Sequence, residues 1–167
     1  EKYLIPLLGV WDNPDEIDFD KLPNQFVLKC NHDQGSLCVC LNKSTFDIES
    51  AKMKLNKSLK KDYFIDSREW PYKNVTRKII AEKYMIDESE VSSLRDYKFM
   101  CFDGKVKCCF VCSDRFSKEG LHVTFFDLDW KVLPFERHYP ARKEGLPKPK
   151  CYEEMIMLAE KLSENIP

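Results

Sequence analysis

Residues 25–41 read Gln-Phe-Val-Leu-Lys-Cys-Asn-His-Asp-Gln-Gly-Ser-Leu-Cys-Val-Cys-Leu, a pattern of two apolar segments separated by a polar one. Its two ends, Gln25 to Cys30 and Leu37 to Leu41, have the apolar character of strands. The residues between them, Asn31 to Ser36, are polar or small and predict a short loop. A glycine in such a loop, here Gly35, lets the backbone approach a ligand closely, and successive amide groups can surround anionic oxygens. The pattern is therefore suited to holding phosphate.

Lys29, near the end of the first predicted strand, has a functional and a structural interpretation. On a rigid strand beside the loop it would supply a compact positive charge at a fixed position for a phosphate group. A lysine before a polar turn is also a common surface residue, so the pattern alone leaves both interpretations open. Asp33 lies within the loop, where a carboxylate is unfavourable for phosphate unless a metal ion or Lys29 offsets its charge.

A second stretch, residues 79–85, reads Ile-Ile-Ala-Glu-Lys-Tyr-Met and predicts an apolar strand that presents a carboxylate near its end. Tyr84 and Met85 are suited to line an apolar slot for a purine, while Glu82 and the neighbouring backbone read its polar edges. The structural alternative is that Glu82 and Lys83 form a solvated face and that Tyr84 and Met85 belong to the core.

The rest of the chain completes an α+β pattern of antiparallel strands with a few helices. Asn13 and Pro14 predict the start of a short helix that ends by Pro23. Asp47 predicts the N-cap of a longer helix that ends at Lys61. Further strands are predicted over residues 96–102, 105–112 and 122–126, with a tight turn at 103–104, and a last helix over 151–163.

Asp96 opens one of these strands, where its carboxylate is suited to accept hydrogen bonds from ribose hydroxyls or, alternatively, to cap a turn. Residues 86–95 predict a polar connection, and the proline-rich, basic residues 131–150 predict a loop. The predicted inner face of the last helix consists of Met155, Leu158, Ala159 and Leu162.

The composition argues against several classes of function. Lysine plus arginine (27) nearly balance aspartate plus glutamate (28), which indicates neither a broad nucleic-acid-binding surface nor an acidic disordered chain. With 43% hydrophobic residues, the composition is that of a folded globular protein. No apolar run approaches the ~20 residues of a membrane helix, and the stretch from Tyr3 to Val10 lacks the basic start of a signal peptide.

The eight cysteines lie mostly in strand-like segments. Cys38 and Cys40 alternate with apolar residues and are predicted to share a buried face. Cys109 and Cys112 form a single CxxC pair within a predicted strand, whereas a structural zinc site prefers two matched pairs in loops. Packing of reduced thiols is therefore favoured over a zinc site.

Six motifs occur along the chain in an order that resembles a known family. They are Glu1-Lys-Tyr-Leu-Ile-Pro-Leu-Leu-Gly-Val-Trp11, Phe26-Val-Leu-Lys-Cys-Asn-His32, Arg77-Lys-Ile-Ile-Ala-Glu-Lys-Tyr-Met85, Asp96-Tyr-Lys-Phe-Met-Cys-Phe-Asp-Gly104, Asp114-Arg-Phe116 and Phe126-Asp-Leu-Asp-Trp130. Together they resemble the TupA-like ATP-grasp family, named for teichuronopeptide biosynthesis, over essentially the whole chain. The resemblance implies a fold that holds ATP between two α+β lobes and forms an acyl-phosphate, which an amine or similar nucleophile attacks. It also implies a bacterial protein of cell-surface polysaccharide biosynthesis, in a family frequently labelled as glycosyltransferases.

Carried over residue by residue, the resemblance implies a nucleotide site. The implied contacts to ATP phosphates are Lys29 and the loop residues His32, Gly35 and Ser36. The implied contacts to the adenosine part are Glu82 at adenine, Lys83, Tyr84 and Met85 as the hinge around the base, and Asp96 at the ribose. Arg115 is the one candidate catalytic residue, as a contact to phosphate or substrate. Its structural alternative is a surface salt bridge.

The resemblance also implies how the chain is organised. A phosphate-loop lobe is expected over residues 1–75, and an adenine- and ribose-binding lobe over residues 76–167. The family continues with acids on two later strands that bind the magnesium bridging the ATP phosphates. We therefore expect a fragment truncated at both ends and inactive by itself, with its metal ligands outside this chain. The expected location is the cytoplasm, and the expected partners are ATP, a polysaccharide or glycan-linked carboxylate and an amine-type nucleophile, without nucleic acid or membrane insertion.

Three alternatives stay open at this point. A glycosyltransferase commonly needs a metal-binding acidic pair, which Asp127 and Asp129 offer if they share a strand face. A degenerate ATP-grasp scaffold would fold and bind a polysaccharide-assembly partner without nucleotide. A thiolate mechanism using Cys30 and His32 is a weaker pattern. A protein kinase is excluded because the chain has no His-Arg-Asp catalytic loop.

Overall fold

The computed structural model describes residues 2–86, 94–115 and 117–166, and the chain divides into two compact units, Glu1–Met85 and Ile86–Pro167. Each unit contains an antiparallel sheet and helix, which confirms the predicted α+β class. The strand at Ile79–Lys83 belongs to the first unit, because it is hydrogen-bonded within the first sheet. The roles assigned to the two lobes stay predictions. The predicted connection at residues 86–95 lies mostly outside the described residues.

The first unit is built on a four-stranded antiparallel sheet. In spatial order its strands are β1 (Leu7–Trp11), β4 (Ile79–Lys83), β2 (Phe26–Cys30) and β3 (Cys38–Cys40). The predictions of β2, β3 and β4 are confirmed, with small differences at their ends. The sequence does not predict β1, because Leu-Leu-Gly-Val-Trp lacks the alternation of a half-buried strand, and its extended form depends on pairing with β4.

Helix α1 (Ile48–Leu59) packs against one face of this sheet. Its predicted cap is confirmed, since the Ser50 amide donates to Oδ1 of Asp47 at 2.9 Å. Ala51 and Leu55 are the buried apolar residues of α1. On the sheet they meet a core that includes Phe26, Leu28, Cys30, Cys38, Cys40, Ile79 and Ala81. Because side chains alternate along a strand, the intervening residues of β2, β3 and β4 point to the opposite face.

Two short segments of the first unit differ from the predictions. The region predicted as a short helix before Pro23 contains two 3-10 turns, Pro14–Glu16 and Phe19–Lys21, each capped by an aspartate or asparagine side chain. A second helix, α2 (Tyr63–Ser67), follows α1 and is too short to give a recognisable apolar period. It ends at Arg68, whose φ of 58° places it in the left-handed region.

The second unit is a three-stranded antiparallel sheet with one helix packed on it. Its strands follow in order as β5 (Asp96–Phe102), β6 (Lys105–Ser113) and β7 (His122–Phe126), and α3 spans Tyr152–Ser163. The predicted turn between β5 and β6 is confirmed. Asp103 and Gly104 have φ angles of 50° and 67°, as a two-residue hairpin of the primed type requires.

Two details of the second unit correct the sequence analysis. Leu162 was expected on the inner face of α3 but is 79% exposed, whereas Tyr152, in the first turn, is fully buried. Asp127 and Asp129 do not share a strand face, because β7 ends at Phe126 and the next residues form a turn closed by the Trp130 amide on the Asp127 carbonyl. The acidic pair expected of a glycosyltransferase is therefore not presented by a strand.

All eight cysteines are free thiols. Cys38 and Cys40 share the buried face of β3, as predicted. Cys109 and Cys112 lie in separate apolar clusters on the two faces of β6, so their sulfur atoms do not point toward one ion. Burial raises the pKa of the Cys30 thiol, which is the opposite of what a thiolate nucleophile needs. Among the described residues, no helix has the length and apolar character required to cross a bilayer.

Candidate functional site

The candidate site lies on the face of the first sheet opposite α1, called here the open face. Strand pairing places Val27 beside Val39 and Glu82, and Ile80 beside Lys29 and Val10. Val10 and Val39 are 48% and 42% exposed. The open face is thus an apolar surface that also carries one lysine and one glutamate.

Lys29 and Glu82 form an ion pair on this face. The Nζ–Oε2 distance is 2.6 Å, and the side chains are 36% and 18% exposed. Such a partly exposed pair contributes about 0–1 kcal/mol to stability, so folding alone gives little reason for it. Chemically, it presents an ammonium group suited to phosphate and a carboxylate suited to accept hydrogen bonds. The structure therefore brings together two residues that the sequence analysis predicted from separate motifs.

The loop at residues 31–36 begins beside β4. The Asn31 side chain accepts a hydrogen bond from the Lys78 amide at 2.9 Å and donates one to the Thr76 carbonyl at 3.0 Å. The Asn31 amide also donates to the Lys78 carbonyl at 3.0 Å. These contacts fix the start of the loop next to Lys29 and to the chain that enters β4.

Asp33 is turned into the base of the loop. One carboxylate oxygen accepts hydrogen bonds from the Ser36 hydroxyl at 2.6 Å and the Ser36 amide at 3.4 Å. The other accepts from the Ser58 hydroxyl on α1. The buried Ser36 hydroxyl also accepts from the Cys30 amide at 2.6 Å. Asp33 therefore stabilises the loop conformation, which gives this carboxylate a structural function in a loop expected to contact phosphates.

His32 lies in the core rather than on the surface of the loop. It is 2% exposed, and its Nε2 atom is 3.2 Å from the Ser58 carbonyl oxygen, so Nε2 carries the donated proton. Its Nδ1 atom has no hydrogen-bond partner among the described residues. A direct contact between His32 and a ligand stays a prediction.

The tip of the loop is open on one side and held on the other. A Cβ atom added at Gly35 would meet no heavy atom of the described chain within 4 Å, so there is room for a ligand. Next to it, the Gln34 side chain donates to Glu69 at 3.0 Å and to the Tyr72 hydroxyl at 3.4 Å. The sequence gave no signal for this link, because it depends on a segment far along the chain.

The residues predicted as an adenine hinge lie at the end of β4. The strand ends at Lys83, so Tyr84 and Met85 follow it rather than belong to it. Beside them is a depression of about 460 Å³, within the size range of small-molecule sites. It is lined by Leu8, Pro23, Asn24, Gln25, Lys83 and Tyr84.

In the second unit, the predicted site residues Asp96 and Arg115 contact each other. Nη2 of Arg115 donates to Oδ2 of Asp96 at 2.9 Å, and Lys98 lies 3.3 Å from the same oxygen. Asp96 and Arg115 are 47% and 48% exposed. This is the surface salt bridge that the sequence analysis weighed for Arg115, and the predicted ligand contacts of both residues stay predictions. Phe116 of the same motif lies outside the described residues.

One ion pair of the second unit was not predicted from the sequence. Arg142 binds the Asp114 carboxylate through two nitrogens, at 2.7 and 2.6 Å, and the Ser113 hydroxyl donates to it at 2.6 Å. His122 Nδ1 lies 3.4 Å from the same carboxylate. Arg142 is the main cause that lowers the pKa of Asp114 to about 2. The Asp-Arg-Phe motif contained the acid, but its partner lies in the segment known only as basic and proline-rich.

Comparison with known protein families shows the family to which the chain belongs. The family model described as TupA-like ATPgrasp matches residues 1–167, the whole chain. The chain belongs to the TupA-like ATP-grasp family. No curated protein and no solved structure matches it.

Members of ATP-grasp families generally bind ATP together with magnesium. The open face of this TupA-like chain fits the nucleotide, because it combines apolar side chains, an ammonium group and an adjacent loop with an exposed glycine. The described residues do not fit the metal, since they bring no three His, Cys, Asp or Glu side chains into one ligand group. No magnesium ligand is therefore assigned to this TupA-like chain.

Proposed function

We propose that this chain binds ATP on the open face of the first sheet, as part of an ATP-grasp ligase that activates a carboxylate as an acyl-phosphate. The observation that carries the proposal is the Lys29–Glu82 pair, which lies on an exposed apolar sheet face beside a loop with an open glycine. Family membership supports the nucleotide and the ligase class. The carboxylate, the amine-type nucleophile and the cell-surface polysaccharide are part of the proposal, as is a cytoplasmic location where ATP is supplied.

The parts of ATP correspond to different groups of the site. The apolar side chains of Val27 and Ile80 offer a surface for the face of the adenine ring, and Glu82 accepts a hydrogen bond from its exocyclic amino group. Lys29 contacts the phosphates, and the amide groups near Gly35 complete their hydrogen bonding. Asp33 and Ser36 act indirectly by holding the loop in shape.

The chemistry proposed for the whole ligase is a sequence of two transfers. A carboxylate oxygen attacks the γ-phosphorus of ATP, ADP leaves, and the amine then attacks the acyl carbon and releases phosphate. Lys29 offsets the negative charge of the phosphates while they are held.

The test is thermal unfolding of the chain during a titration with ATP and magnesium. A ligand at ~100 times its dissociation constant adds about 2.7 kcal/mol, and we expect this saturable gain in the wild type and its loss in Lys29→Ala. Lys52→Ala is the matched control. It removes a lysine of α1, on the opposite side of the sheet from the open face, that pairs with exposed Asp15 at 3.0 Å, and it is expected to keep the gain.

Three other results would contradict the proposal. An equal gain in wild type and Lys29→Ala would place ATP elsewhere. A gain with a nucleotide-sugar in preference to ATP would support a glycosyltransferase. No gain with any nucleotide would support a scaffold function.

A further inference from the structure

A second cavity of the first unit lies on the α1 side of the loop at residues 31–36. Its volume is about 350 Å³, and Gly35 and Tyr63 are among the residues that line it. α1 and the residues that follow it contribute Lys54, Lys57 and Lys61 to the lining. Lys54 and Lys57 are three residues apart and share one side of α1, whereas Lys61 follows the C-terminal end of this helix at Leu59. No sequence motif predicts a site at these three lysines.

The positive charges in this cavity are not balanced by the chain. Lys54 donates to the Leu37 carbonyl at 2.7 Å. In the described parts of the chain, the ammonium groups of Lys57 and Lys61 have neither a hydrogen bond nor an ion pair. The two carboxylates in the lining are Asp33 and Asp66, so three lysines face two negative groups and one positive charge is left over.

Helix electrostatics do not account for this arrangement. Like charges on neighbouring positions of a helix, such as Lys54 and Lys57 three residues apart on α1, repel each other. Cations are favourable in the last turn of a helix, where Lys57 lies, but the effect falls off within that turn and does not reach Lys54. An anion in the cavity would offset the excess positive charge. The exposed backbone at Gly35 leaves space for one.

We propose that this cavity is a phosphoryl-anion site, with Lys57 and Lys61 as its principal ligands and Lys54 as a third. Lysine is a compact, flexible point charge that suits phosphoryl oxygens. The lysine ligands of this site lie on the α1 side of the loop and are separate from Lys29 on the open face. Its phosphoryl group belongs either to the polyphosphate of the nucleotide or to a separate phosphorylated molecule.

The experiment is calorimetric titration of the 167-residue chain with pyrophosphate at constant ionic strength. We expect saturable binding in the wild type and a Kd raised roughly tenfold or more in Lys57→Gln/Lys61→Gln, because two charge-assisted contacts are lost. Lys52→Gln/Lys60→Gln is the matched control. It removes the same charge from the same helical region, outside the cavity, and is expected to keep the wild-type Kd. If the double variant unfolds, each single variant gives the same comparison.

Equal Kd values in the two double variants, or no saturable binding to the wild type, would overturn the proposal. Lys29→Ala separates this site from the proposed function, since it is expected to lose the response to ATP and keep the pyrophosphate Kd. If Lys29→Ala alone abolishes pyrophosphate binding, the anion lies on the open face and the proposal is wrong.

Competition then identifies the source of the phosphoryl group. If saturating ATP blocks pyrophosphate and saturating adenosine does not, the nucleotide polyphosphate occupies the cavity. If pyrophosphate binds with an unchanged Kd in saturating ATP, a separate phosphorylated molecule is the natural ligand. Both results agree with a phosphoryl-anion site.

Discussion

The two faces of β2 differ in burial and in chemistry, although the same five residues form them. Phe26 and Leu28 on the α1 side are fully buried, and Cys30 is 1% exposed. On the open face, Val27 is partly exposed and Lys29 is paired with Glu82. Burial contributes roughly 25 cal/mol per Å² of apolar surface, whereas a partly exposed ion pair contributes about 0–1 kcal/mol. One face therefore stabilises the sheet, while the other is available for a ligand.

The largest expected effect is on the covered face. Leu55→Ala removes a fully buried side chain of α1 and leaves a cavity against β2, so we expect a loss of about 2–5 kcal/mol in the free energy of unfolding, measured in urea. Met53→Ala is the control on the same helix, because Met53 is 68% exposed, and its expected loss is within about 0.5 kcal/mol. Similar losses in both variants would mean that α1 does not cover this face.

The Asp114–Arg142 ion pair of the second unit is more buried than the Lys29–Glu82 pair of the open face. Arg142→Ala leaves the Asp114 carboxylate, 11% exposed, without its two charged hydrogen bonds. We expect a loss of about 1.5–3 kcal/mol in the free energy of unfolding. The matched control is Lys148→Ala, since Lys148 pairs with an exposed glutamate and is expected to cost less than about 1 kcal/mol. Equal losses would show that burial does not distinguish the two pairs.

The pH dependence of stability follows from the same carboxylate. Its pKa is about 2 in the folded protein and near the ordinary 3.8 in the unfolded chain, so the unfolded state binds the proton first as pH falls. The Asp114 contribution is therefore complete above its unfolded pKa and lost as pH falls through its folded pKa. We expect the stability difference between wild type and Asp114→Asn to shrink over that range in urea unfolding. A constant difference would contradict the ion-pair explanation.

The smallest expected effect is at the exposed pair of the second unit. Arg115→Ala removes the 2.9 Å contact with Asp96, but both side chains are about half exposed and Lys98 stays beside the carboxylate. We expect a change of about 0.5 kcal/mol or less in the free energy of unfolding. If the same variant still weakens ATP binding, Arg115 contacts the ligand as the resemblance implies. A loss above about 1.5 kcal/mol would instead give it a structural function.

Local chemistry made much of the fold predictable. The alternation in β2 and β3, the Asp47 cap of α1 and the Asp103-Gly104 turn are decided by neighbouring residues, and each is confirmed. β1 was not predictable, because its extended form depends on pairing with β4, far along the chain. The prediction that Leu162 lies on the inner face of α3 was wrong, because helical spacing alone does not show how far along the helix the sheet beneath it extends.

The amino-acid sequence was sufficient to predict the family, the antiparallel α+β class and the residue types of the candidate site. The partners of these residues follow only from the folded chain. Folding paired Lys29 with Glu82, joined Asp33 to Ser58 across 25 positions and Asp114 to Arg142 across 28, and grouped three lysines around one cavity. The reason is that periodicity and capping act between neighbours in sequence, whereas ion pairs and cavities form between residues that only folding brings together.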